Sequence, residues 1–202
     1  IEMVMSFTFL GYIHIPPISA TTAFIPIVIA ACLFGPGEAT VAGLFFGLGS
    51  MFKASALYVM PDDKLFSPFQ SGFPLGSLLL SVGARVLFGF LIGWLYHFVK
   101  MGQPKRLKWL WKSLLALIAP AIHAFFVYGA LRLLFPEEGA SYNAAFHLQI
   151  SMIFLAVLSL VCVTLCDLIY NSRYVAGCRD AINALESRPG WSLKNGLFLG
   201  TI

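Results

Sequence analysis

Two cations stand in stretches that otherwise look made for lipid: Lys53 in GLFFGLGSMFKASALYVM, and Arg85 in ARVLFGFLIGWLY. A charge at the centre of a membrane helix costs a few kcal/mol, roughly 2.5 to 3.5 on insertion scales, so each needs a partner, a cavity or a way to snorkel. Arg85 heads the series Arg85, Gly89, Gly93 and His97, spaced every four residues, which places the guanidinium at the top of a small-residue stripe. Ala39, Gly43, Gly47, Ser50 and Ala54 form a second stripe, with Lys53 beside it. Such stripes let two helix backbones approach closely, which predicts a tight bundle whatever the function. For Lys53, snorkelling to the headgroups competes with a role in a site.

Other polar groups fall near the same end of the chain's apolar runs. Tyr128 and Arg132 are four residues apart and share a helix face, as do Asn143 and His147, with Gln149 close by. HIPPISATT carries His14, Ser19, Thr21 and Thr22 beside a Pro16-Pro17 pair, and PDDKLFSPFQSGFP carries Asp62, Asp63, Ser67 and Gln70 among Phe66, Phe69 and Phe73. That second segment is too apolar for a solvated connector, so its phenylalanines are expected to fold back as a lid. His123, one turn after Pro120, reads first as a partner for a carbonyl that the proline frees. The chemistry these groups suit is binding. Lys53, Arg85 and Arg132 outnumber embedded acids, since Asp62, Asp63, Glu137 and Glu138 lie in breaks. Excess positive charge in a partly dehydrated cavity favours an anionic ligand, with Phe and Tyr packing its apolar part. If the loop acids fold over the cations instead, the cavity suits a neutral or cationic ligand.

The elements that must position these residues follow from composition. With 59% hydrophobic and 11% charged residues and a mean hydropathy of +0.85, the chain reads as an all-α integral membrane protein. Its net charge of +4 would suggest nucleic acid in a soluble protein, but here the basic residues flank apolar runs and set topology. Cys32, Cys162, Cys166 and Cys178 form no CxxC pair and read as reduced, lipid-buried thiols rather than metal ligands. Neither a metal nor a cofactor is expected.

Six spans are expected, over Ile1 to Ile13, Ala20 to Phe34, Glu38 to Val59, Ser77 to Val99, Trp109 to Phe135 and Ala144 to Tyr170. The first is shorter than the roughly 20 residues a span needs and is expected to be truncated. Lys100, Lys105, Arg106, Lys108 and Lys112, with Arg173 and Arg179, mark one side as cytoplasmic, so both termini are expected inside and the acidic breaks outside. Residues 1–172 then form a membrane domain and 173–202 a cytoplasmic tail. Counting from Gly37 puts Lys53 roughly 24 Å above the inner boundary, and counting from Lys100 puts Arg85 roughly 22 Å above it, so the two cations are expected at one depth.

FGPGEATVAGLFFGLGS, the Pro-rich segment after it and ARVLFGFLIGWLY, in that order, resemble the substrate-binding S component of energy-coupling factor (ECF) vitamin transporters. The likeness runs from the first break through the sixth span. It implies a six-helix subunit, without catalytic activity, that captures a vitamin or related micronutrient at the outer face of a prokaryotic plasma membrane. Delivery inward would need a transmembrane coupling protein, against which family members topple, and two cytoplasmic ATPases. The chain has no GxxxxGK[ST] sequence of its own, so ATP hydrolysis is expected of a partner. The family's small-xxx-small contact motif in helix one is not seen in IEMVMSFTFLGYI. The resemblance maps the pocket onto Arg85, Lys53, Tyr128, Arg132, Gln149, His147, Asn143, His14 and Thr21; a carboxylate vitamin such as pantothenate or folate would suit it. Two readings compete. A membrane assembly or scaffold protein needs only the glycine-striped bundle. An intramembrane protease is suggested by the Glu137-Glu138 pair, but Tyr142 stands where that family needs Arg.

Overall fold

The computed structural model describes residues 12–15, 18–55, 62–102, 104–136, 150–172, 175–177 and 180. A short antiparallel hairpin comes first, with β1 (Tyr12–Ile15) paired to β2 (Ile18–Thr21) so that Tyr12 faces Thr21 and Ile15 faces Ile18. Helices follow: α1 (Ile25–Leu33), α2 (Pro36–Ala54), a 3-10 turn (Asp62–Phe66), α3 (Pro74–Leu78), a π-helical turn (Leu79–Gly83), α4 (Ala84–Gly102), α5 (Lys105–Leu134) and α6 (Ile150–Tyr170). The chain forms two compact units, Ile1–Thr164 and Leu165–Ile202.

The expected helical fold is present among the described residues, with the short hairpin as its one local exception. Tyr12 and Ile13 are strand rather than the end of a first span, and the second span begins at Ile25 rather than Ala20. The physical reason lies in the local chemistry: a residue before proline avoids helical backbone, and Ile13, Ile15, Ile18 and Thr21 are β-branched. Residues 1–11 lie outside the described residues. Helix α1 is consequently nine residues long, about 13 Å, less than half of a ~30 Å hydrocarbon core. It stops at Phe34-Gly35, where Gly35 takes φ 145°, a backbone state that side chains resist. Pro36 then opens α2 at its first turn, with Glu38 at the positive end of the helix dipole.

Helices α2 and α4 pack antiparallel through the two small-residue stripes. A Cβ on Gly43 would lie 2.5 Å from the Arg85 carbonyl oxygen, one on Gly47 would lie 2.7 Å from Val82 Cα, and one on Gly93 would lie 2.5 Å from Pro36 Cα. Gly89 meets the Ala39 carbonyl in the same way. The expected close approach is therefore present, and it fixes a register in which Pro36 is level with Gly93 and Gly43 with Arg85. Helix α5 joins the pair, and α1 fills the groove beside them. Ala23, Phe24, Ile27, Val28, Phe46, Phe88, Ile92 and Ala119 form the main core, with Leu155 and Val163 of α6 on its edge.

Three hydrogen bonds close the end where the lysines cluster. Lys100 Nζ donates to the Leu33 carbonyl at 3.0 Å, at the negative end of the α1 dipole. Tyr96 Oη donates to the Lys112 carbonyl at 3.1 Å, and Lys108 Nζ donates to the Lys100 carbonyl. At the opposite end, serines tie the segment after α2 onto α3. Ser77 Oγ donates to the Leu65 carbonyl at 2.7 Å, and the hydroxyls of Ser55 and Ser67 lie 2.9 Å apart. Strand β2 lies against the 3-10 turn at this hairpin end.

Among the described residues, three helical stretches are long and apolar enough to cross a membrane: Pro74–Gly102, Leu107–Leu134 and Met152–Tyr170. Large apolar side chains such as Phe52, Phe125, Leu133 and Ile153 are exposed on the outside of the helices, as expected of faces that meet lipid rather than water.

Candidate functional site

The elements converge at one level of the bundle, where α1 begins. Phe24 at the N-cap of α1, Phe46 on α2, Arg85 and Phe88 on α4, and His123 on α5 all meet there. Above it, towards the hairpin end, non-helical backbone replaces helix: Thr22 and Ala23 are buried in extended or turn conformation. Irregular backbone at membrane depth is tolerated where protein buries it or where it lines a cavity.

Arg85 is 4% exposed. Its Nη1 donates to the Leu80 carbonyl at 2.6 Å, inside the π-helical turn. Its Cζ lies 5.3 Å from the Phe46 ring centroid and 4.9 Å from that of Phe66. Cation-π attraction strengthens when water is removed, so two rings and a carbonyl make a firm seat for the charge. The seat joins two parts of the fold, since Phe46 belongs to the core and Phe66 to the 3-10 turn. The π turn contributes by interrupting the regular helix just before Arg85, a feature common at functional sites.

Lys53 does not share this level. It lies ten residues beyond Gly43, whose backbone meets Arg85, hence about 15 Å farther along α2 than the Arg85 backbone. The count from sequence failed because it started both helices in one plane, whereas α2 begins level with Gly93 and α4 runs on to Gly102. Lys53 instead feels the carboxylate of Asp63, in the 3-10 turn. The residue level with Arg85 is His123, whose ring meets Phe88 and which feels the Arg85 charge.

The other expected site residues divide. Tyr128 packs partly buried with Leu80, Leu131, Phe135 and the lid residues Leu65 and Phe66, whereas Arg132, one turn later, is exposed. Their four-residue spacing thus leaves them in different surroundings. The lid forms in part: Phe66 is packed and Phe73 meets Phe135 edge-on at 6.1 Å, but Phe69 is 85% exposed. His14 and Thr21 sit on β1 and β2, in the hairpin. Asn143, His147 and Gln149 lie outside the described residues. Phe24, Phe46 and Phe88 went unnoticed in the sequence, and Phe66 was read only as part of a lid; the one available signal was the three-residue spacing of Arg85 and Phe88, which puts them on one face.

The fold and this site define a helical membrane protein with a buried cation at the junction of helix and irregular backbone. No protein-family model matches the chain, and no curated protein matches it.

Proposed function

We propose that this chain is the substrate-binding subunit of an ECF-type importer in a prokaryotic plasma membrane. It captures a carboxylate-bearing vitamin, such as pantothenate or folate, from the hairpin side and delivers it to the lysine-rich side. In this reading the lysine-rich end and both termini are cytoplasmic, the six spans include the expected first helix, and a transmembrane coupling protein with two ATPases supplies the energy. The chain itself carries no catalytic step. The observation that carries the reading is the Arg85 seat, a buried guanidinium held between Phe46 and Phe66 beneath a hairpin and a 3-10 turn. A fixed cation in such surroundings attracts a carboxylate strongly, because low dielectric magnifies the charge and aromatic walls suit the apolar remainder. Lys53, within electrostatic reach of Asp63, contributes to the electrostatics of the entrance rather than to the contact.

Native mass spectrometry of gently purified protein tests this directly. The expected result is a retained small carboxylate, with uptake into vesicles only after addition of the ATPase-bearing module. Concentrative ATP-dependent uptake by the chain alone, or no binding of any carboxylate vitamin by folded protein, overturns the assignment.

A further inference from the structure

His123 is 7% exposed, and its ring is held on three sides: stacked on Phe24 at 5.6 Å, tilted against Phe46 at 5.7 Å and edge-on to Phe88 at 5.1 Å. None of these rings offers Nε2 a hydrogen bond, and Nε2 is buried without a hydrogen-bond partner among the described residues. A buried ring nitrogen left this way destabilises a fold, and a phenylalanine would fill the same aromatic surroundings without that penalty. The residue that would pack best is thus not the residue present. Positions that break a packing rule with no structural return are where function is to be sought.

We propose that His123 Nε2 is a second anchor for the ligand. The bound molecule presents its anionic group to Arg85 and a neutral hydrogen-bonding group, a hydroxyl or an amide, to His123. Phe46 touches both side chains and supplies apolar surface between the two anchors. Nε2 donates or accepts according to the tautomer of the neutral ring, so a hydroxyl and an amide both satisfy it. The substrate class that follows is a small carboxylate bearing a hydroxyl or amide along its chain, as against a plain alkyl acid. This inference rests on the transport reading above, because it needs Arg85 to hold the carboxylate.

Pantothenate, which carries a carboxylate, an amide and hydroxyls, and hexanoate, which carries only the carboxylate, separate the two anchors. Calorimetric titration is run on the full chain and on His123→Phe, His123→Gln and Arg85→Gln, with thermal unfolding of each in the absence of probe. The expected result is that His123→Phe weakens pantothenate about tenfold and leaves hexanoate unchanged within about twofold, the size of one lost hydrogen bond. Its ligand-free Tm is equal to or above that of the parent. His123→Gln recovers part of the pantothenate affinity, and Arg85→Gln weakens both probes. An equal loss for both probes in His123→Phe, or a lower Tm with unchanged pantothenate affinity, marks a packing residue and overturns the inference while the Arg85 result leaves the transport reading standing. A folded parent chain that binds neither probe overturns both.

Discussion

The Cβ that Gly43 lacks would stand 2.5 Å from the carbonyl oxygen of Arg85, so one of the close approaches of α2 and α4 falls at the residue that carries the buried charge. Bundle packing and the placement of the Arg85 charge are therefore not separable at this level. Any spreading of the two helices moves the Arg85 backbone, and with it the guanidinium's position between Phe46 and Phe66.

Gly43→Ala is accordingly expected to destabilise the protein by about 1 to 3 kcal/mol, because the atom it meets is backbone and cannot rotate away. The control is Gly37→Ala, where nothing lies within 4 Å of the added methyl. Thermal unfolding in detergent should show a clearly lower Tm for the first and little change for the second. Equal behaviour of the two would mean that the helices separate freely.

Arg85→Gln should weaken carboxylate binding by roughly tenfold or more, since a charged hydrogen bond in such a site contributes about 1.5 to 3 kcal/mol. Lys53→Met should do less, because Lys53 lies farther along α2 and already feels Asp63. Titration of folded variants with pantothenate or folate decides it, and a larger effect at Lys53 than at Arg85 would contradict the geometry.

Ser77→Ala removes the donor to the Leu65 carbonyl and the contact with the Ser71 hydroxyl at 2.5 Å. A carbonyl left without its partner costs about 1 to 3 kcal/mol, and the loss should be local. Hydrogen exchange is expected to rise across residues 62–73 and to stay unchanged through α4. Uniform acceleration over the whole bundle would show that the serines stabilise the fold globally instead.

Orientation has its own test. A cysteine in place of Lys105 should react with an impermeant reagent only from the cytoplasmic side, and one in place of Glu138 only from outside. Exchanged accessibility would reverse the direction of transport proposed above.

The small-residue stripes were legible in the sequence because the constraint is local and unforgiving: only Gly, Ala or Ser fits where two backbones touch. Gly43, Gly47, Gly89 and Gly93 could thus be picked out by spacing alone. The spans of α4, α5 and α6 were legible for a similar reason, since length and apolarity suffice. The hairpin was not, because strand pairing joins residues across a turn and HIPPIS reads equally well as a break. Relative depth was not legible either; it depends on the offset between helices, which the contact of Pro36 with Gly93 sets. His123 illustrates the limit most clearly. Its surroundings come from α1, α2 and α4, so nothing within its own helix distinguishes a ring that caps a carbonyl from one whose Nε2 has no partner among the described residues.

Helix α1 covers only part of the bundle's length, and the asymmetry that this creates bears on leakage. At the lysine-rich end the barrier consists of helices locked through backbone contacts and anchored by Lys100 to the end of α1. At the hairpin end, among the described residues, it consists of a two-stranded ribbon and a 3-10 turn fastened by serine hydroxyls. Thermal openings concentrate where fewer apolar contacts must break, so the hairpin side is expected to open more often than the other. If the chain spans a membrane as proposed, openings on opposite sides then seldom coincide, and leakage of ions through it is expected to be low.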